Sequence, residues 1–180
     1  ERYDDLNSFG NGTYRVQERV NYSLGYETNT AKEWSYNIAA AVNGEFQGGR
    51  NFQYTTGVTW QPKDNIRLSG EVIHNDRDGW LIHQEEQNFT AFQANQWRTN
   101  LNFDYFLTAK QQFRMVLQWV GIKAVGDEYY FLPSDAPTNN RDLLRVAKPA
   151  GPSDDFSISQ LNFQLRYRWQ IAPLSDLFVV

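Results

Sequence analysis

The residues with the most chemical potential here are arginines set among amides: Arg15, Arg19, Arg67, Arg98, Arg114, Arg166 and Arg168. Each lies in a stretch where apolar and polar residues alternate, and each falls in the polar set. Carboxylates of that set are fewer, chiefly Glu45, Glu71 and Asp104. Successive side chains of a strand point to opposite faces, so these charges belong to one face. Away from bulk water such groups must pair, hydrogen-bond or be wetted. Two readings follow. A basic cavity would favour anions or acidic sugars. The plainer reading is a pairing network that ties strands together or meets a plug.

Other candidates carry less. Asp76-Arg77-Asp78-Gly79 opens like a calcium loop but lacks the remaining ligands and the distal Glu, and reads as an Asp-Gly turn. His74 and His83, with Glu85 and Glu86 nearby, match no zinc spacing. Asp127 with Glu128, and Asp154 with Asp155, are adjacent, so on a strand they point apart rather than converge as a hydrolytic pair. No nucleophile elbow, phosphate loop or Ser/His/Asp order stands out. The expectation is no catalytic residue, no metal, no cofactor and no enzyme. Asn11, Asn21 and Asn88 begin glycosylation-type triplets, a pattern short enough to recur by chance.

The elements that carry these charges are strands. Leu161, Phe163, Leu165, Tyr167, Trp169 and Ile171 alternate with Gln160, Asn162, Gln164, Arg166, Arg168 and Gln170. At helical spacing they would form no stripe. About eleven residues of clean alternation is what a tilted strand needs to cross a bilayer, roughly twice the usual soluble strand. Similar alternation marks 13–27, with Tyr22 and Tyr26 in its apolar set, and 34–47, with Trp34 and Tyr36. It continues over 52–61 (Trp60), 66–75, 94–107 (Trp97, Phe103, Tyr105) and 113–123 (Phe113, Trp119). A further strand begins at Leu177. Gly48-Gly49-Arg50-Asn51 and Pro62-Lys63-Asp64-Asn65 read as tight turns.

The chain has 180 residues, 16% of them aromatic, no Cys and a net charge of −4. No run approaches a membrane helix, but a transmembrane barrel spends half of each strand on a polar lumen and escapes hydropathy windows. The aromatic content suits girdles at two bilayer interfaces. The weak acidity suggests no nucleic-acid partner. A soluble β-barrel or sandwich with an internal ligand site is the rival. It would need the apolar set inside and a charged surface, whereas here the polar set is mostly Asn, Gln, Ser, Thr and Arg, and the rings would overfill a small barrel. The expected fold is therefore all-β: an antiparallel transmembrane β-barrel, one region over 1–180. The expected role is porin- or transporter-like passage or docking of small solutes, anionic or sugar-like, with the lipid bilayer as partner. A structural or surface-interaction barrel is a further alternative, with Tyr129-Tyr130-Phe131-Leu132 as contact unless that loop folds back on the mouth.

Long connections at 76–92 and 124–155 alternate with short ones, as extracellular loops alternate with periplasmic turns. The first strand then runs inward and the last outward. Bacterial single-chain barrels normally start and finish in the periplasm, so these eight or so strands read as part of a larger barrel of about ten or more, with a self-contained eight-stranded protein as the alternative. That expectation makes missing strands or domains of the same protein a further partner.

The segment 166–180, RYRWQIAPLSDLFVV, with DRDGWL at 76–81, resembles a family of bacterial outer-membrane proteins. Its members join an N-terminal domain, similar to a family-9 carbohydrate-binding module, to a large C-terminal β-barrel. The likeness covers the barrel region only, and implies a Gram-negative outer membrane. The carbohydrate-binding domain has no counterpart here, so it implies no sugar-binding role for any residue of this chain.

Overall fold

The computed structural model describes residues 2–133, 142–148 and 150–180. Every element among them is a strand: β1 (Arg2–Asp4), β2 (Tyr14–Val16), β3 (Asn21–Glu27), β4 (Trp34–Gly44), β5 (Arg50–Lys63), β6 (Ile66–His83), β7 (Asn88–Thr108), β8 (Gln111–Phe131), β9 (Leu144–Val146), β10 (Phe156–Ala172) and β11 (Ser175–Val179). β1 and β2 pair with each other. The rest form one antiparallel sheet in the order β11-β10-β8-β7-β6-β5-β4-β3, with β9 against the end of β8. The sheet does not close into a barrel; β3 and β11 are its edges.

Alternation becomes geometry through the register. Tyr36, Val58, Gly70, Leu101, Leu117 and Phe163 are partners on successive strands, as are Ile38, Thr56, Val72, Thr99, Trp119 and Leu161. The apolar sets of the long strands thus merge into one face. The aromatic residues expected to meet lipid all lie on it: Tyr22, Tyr26, Trp34, Tyr36, Trp60, Trp97, Phe103, Tyr105, Phe113, Trp119, Phe163, Tyr167 and Trp169. Much of this face is bare, with Ile38 61% exposed, Leu161 62% and Phe163 59%. The polar side of β5 is better covered, Asn51, Gln53, Thr55 and Thr59 being half-buried where Phe52, Tyr54 and Val58 are exposed.

The strands run further than their alternation indicates. The connection expected over 76–92 is mostly β6 and β7, with only 84–87 left as a turn, and β8 carries on to Phe131. Alternation fades there because both faces are covered. On one face Phe89 and Ala91 join Leu81, Tyr130, Leu132 and the β2 residues Tyr14 and Val16 in a buried cluster. On the other, Phe92, Ala94 and Ala124 pack with Trp80, Ile82 and Phe156. Tyr129 and Tyr130 are buried within the end of β8 and Leu132 is buried just beyond it, so that aromatic group is part of the sheet itself and not a loop at its mouth. Asp-Gly at 78–79 makes a bulge instead of a turn: the β6–β7 register slips between Arg77 and Trp80, with Gly79 at φ +82°. The strand expected over 13–27 is two, β2 and β3, separated by 17–20. Residues 134–141 and 149, within the connection expected over 124–155, lie outside the described residues.

Gly79→Ala should destabilise this end by about 1–2 kcal/mol, since an L side chain resists the left-handed region. A Cβ there would also stand 3.1 Å from Gly49 Cα. Denaturant midpoints that match wild type would contradict this role for the bulge.

Candidate functional site

The polar face offers two sets of groups. Its middle is an amide carpet. Asn37, Gly57, Glu71, Asn100, Gln118 and Asn162 form one row across six strands, flanked by the row Ser35, Thr59, Ser69, Asn102, Val116 and Gln164. Gly57 makes room in this row: a Cβ there would lie 2.1 Å from Asn37 Oδ1. A hollow of about 290 Å³ opens over the carpet, lined by Asn37, Thr59, Ser69, Glu71, Asn100 and Gln118, among others, and Arg67 also lines it. Each amide both donates and accepts, which suits hydroxyl-rich solutes.

Toward the turns at 64–65 and 109–110 stands a charged row. Arg67 is partnered with Asp104, Asp104 with Arg114, and Arg114 with Arg166. Arg114 Nε donates to Asp104 Oδ1 at 2.6 Å, and Gln112 Nε2 donates to the same oxygen at 3.2 Å. Arg168 is held by Asp176, Nη2 to Oδ2 at 2.9 Å. Arg98 lies higher on the same face, level with Ile73 and Val120. Glu71 is in the carpet.

The two N-terminal arginines do not join this set. Arg15, on β2, bonds Asp142 through Nε at 2.7 Å and Nη2 at 2.9 Å. Arg19 lies off the large sheet with its guanidinium 4.3 Å from the centroid of the Phe46 ring. Alternation carried across 17–20 placed them on the polar face; the chain leaves the sheet in that interval.

Glu45 pairs with a residue that the turn reading of Asp78-Gly79 hid. Arg77 grips it bidentately, Nε to Oε1 at 2.7 Å and Nη2 to Oε2 at 3.0 Å, and lies 4.4 Å from the Trp80 ring centroid. The odd positions of β6, from Arg67 through Ser69, Glu71 and Asn75, carry the polar face straight to Arg77, and that parity was the available signal. Beyond the pair, Tyr130 donates its hydroxyl to Glu128, which also pairs with Arg145 at 2.7 Å. Burial first, and that acceptor second, push the Tyr130 phenol up to about 12. Burial raises Tyr14 too, with Asp4 adding to the effect.

His74 and His83 are apart in role as well as in sequence. His74 sits on the apolar face, its ring centroid 4.2 Å from that of Trp97 and its Nε2 2.8 Å from Asn95 Oδ1; His83 Nε2 is 2.7 Å from the Glu86 carbonyl oxygen. Among the described residues no three His, Asp or Glu side chains converge as for a metal ion.

Residues 3–180 match a family model described as a domain of unknown function (DUF5916). No curated protein and no solved structure matches the chain.

Two outcomes are expected. Arg77→Leu strands the buried Glu45 carboxylate and should cost about 3 kcal/mol, most of it recovered when Glu45→Gln is added; equal loss in single and double variants would contradict the pairing. A phenol raised in the folded state favours folding fully below pH 10, a contribution lost as pH climbs through about 12. Absorbance titration should show Tyr130 among the last tyrosines to ionise, and Tyr130→Phe should remove that late step.

Proposed function

The chain belongs to the DUF5916 family, and we propose that it is a membrane-spanning arc of a β-barrel, with lipid against its apolar face and an aqueous lumen along its polar one. The observation that carries this is the exposure of the apolar face. On β4 and β5 Trp34, Tyr36, Ile38, Phe52, Tyr54 and Val58 are exposed while Ser35, Asn37, Gln53, Thr55 and Thr59 between them are covered, the reverse of a water-soluble sheet. On β10 Leu161, Phe163, Leu165 and Trp169 are exposed as well. The limits of the apolar face agree. At one end it finishes in the ring groups Trp34 with Trp60 and Phe103 with Tyr105 and Phe113. At the other it gives way, beyond His74 and Trp97, to a row of exposed polar partners: Asp76, Asn95, Lys123 and Ser157. Rings at an interface followed by charge is the sequence of groups a bilayer boundary demands.

Edge strands in hydrocarbon must find backbone partners. Further strands beside β3 and β11 would satisfy them, which favours one arc of a larger barrel. The amide carpet would let small polar solutes pass or dock. A bacterial outer membrane is the setting implied by the resemblance at 166–180.

The sequence has no cysteine, so single introduced thiols report single sites. In vesicles holding the full-length protein, a water-soluble maleimide should modify Asn100→Cys and Gln118→Cys, and a bilayer-dissolved one Leu101→Cys and Leu117→Cys. Rapid labelling of the two leucine sites from water would overturn the reading.

A further inference from the structure

We infer that Arg67, Arg114 and Arg166 form a binding site for a small anion carrying a carboxylate or phosphate on a hydroxylated frame. This rests on the polar face being a lumen and names what that lumen selects. The charge balance of the row is the first ground. Three arginines on β6, β8 and β10 stand in one row with a single carboxylate, Asp104, which of the three only Arg114 bonds. Oδ1 of Asp104 already accepts from Arg114 Nε and Gln112 Nε2. Asp176, the nearest other acid in sequence to this end of β10, is spent on Arg168. Among the described residues neither Arg67 nor Arg166 meets a carboxylate at ion-pair distance, and both are exposed.

The pairing of Arg114 with Arg166 is the second ground. Like charges directly opposite on neighbouring strands are destabilising. A network that existed only to hold strands together would set an acid there, as it does between Arg67 and Arg114. An arriving anion removes the repulsion and gains from it. Strand spacing sets neighbouring Cα atoms about 5 Å apart, so two planar forks can close on one carboxylate or phosphate.

The third ground is position. Arg67 also lines the hollow over the amide carpet. A ligand anchored by its charge at the row would lay its remaining atoms on Ser69, Asn100, Asn102 and Gln118, where hydroxyls find both donors and acceptors. The row faces the polar side, so the anion arrives from solution and not as a lipid headgroup.

The test is binding to the full-length protein in detergent micelles, followed by saturation-transfer NMR and titration, with D-glucuronate and inorganic phosphate as probes and D-glucose as the uncharged comparison. Wild type should prefer the two anions, and Arg67→Gln/Arg166→Gln should weaken both by at least about tenfold. Arg98→Gln, which removes one positive charge of the same face from another row, should leave them unchanged. Arg67→Lys/Arg166→Lys keeps the charge and guards against misfolding; it should bind more weakly than wild type, because lysine lacks the fork. Equal affinity for glucose and glucuronate, equal weakening by Arg98→Gln, or no anion binding would each overturn the site. If the thiol-labelling pattern holds while anion binding fails, the lumen stands and the site alone falls; if labelling fails, the lumen itself is lost.

Discussion

Everything in this structure depends on an unbroken antiparallel register through the middle of the sheet. A slip by one residue would send every side chain of a strand to the opposite face. From the Trp34–Trp60 level to the Asp76–Asn95 level the ladders β4–β5, β5–β6, β6–β7 and β7–β8 run without a shift. The irregularities all lie outside that band: between Trp60 and Lys63, and between Phe106 and Thr108, at one end, and between Arg77 and Trp80, and between Ala91 and Phe92, at the other. Bulges bend and twist strands, and here they are confined to the two rims. Regular pairing in the middle keeps apolar and polar faces pure; irregular pairing at the ends lets the chain change its company.

That change of company divides the sheet into two regimes. In the band, one face is a broad surface of rings and aliphatic groups with nothing upon it, far beyond the scattered apolar residues normal on a soluble surface. Past the Asp76–Asn95–Lys123–Ser157 row, both faces are covered by the chain's own residues, β1–β2 with Leu132 on one side and Phe156 on the other. The second regime is built as a soluble protein is built. One strand such as β7, 21 residues long, passes from one regime to the other.

Legibility in the sequence follows the same division. Where one face is bare, alternation is strict, and Leu161 to Ile171 gave strand, face and length directly. Where both faces are covered, Phe89, Thr90, Ala91 and Phe92 are buried in succession, and a strand then shows no period of two. The glycine at 79 looked like a turn because Asp-Gly serves either turn or bulge; only the pairing partners of Arg77 and Trp80 decide it. Parity located Arg67, Arg98, Arg114, Arg166, Arg168, Glu45, Glu71 and Asp104 on one face. It failed for Arg15 and Arg19 because period two has no meaning across a break in the strand. Which arginines share a level depends on register between strands far apart in sequence, which one strand's pattern cannot carry.

The central claim is that lipid covers the apolar face. Five of the six tryptophans, Trp34, Trp60, Trp97, Trp119 and Trp169, lie there, and Trp80 lies in the buried cluster on the other side. Emission quenching by brominated phospholipids in vesicles of the full-length protein reads this contact directly. The account predicts strong quenching by bromine on the acyl chains, little by aqueous iodide, and the bromine effect largely abolished when those five residues are changed to Phe with Trp80 retained. Emission quenched freely by iodide and indifferent to brominated lipid would contradict it.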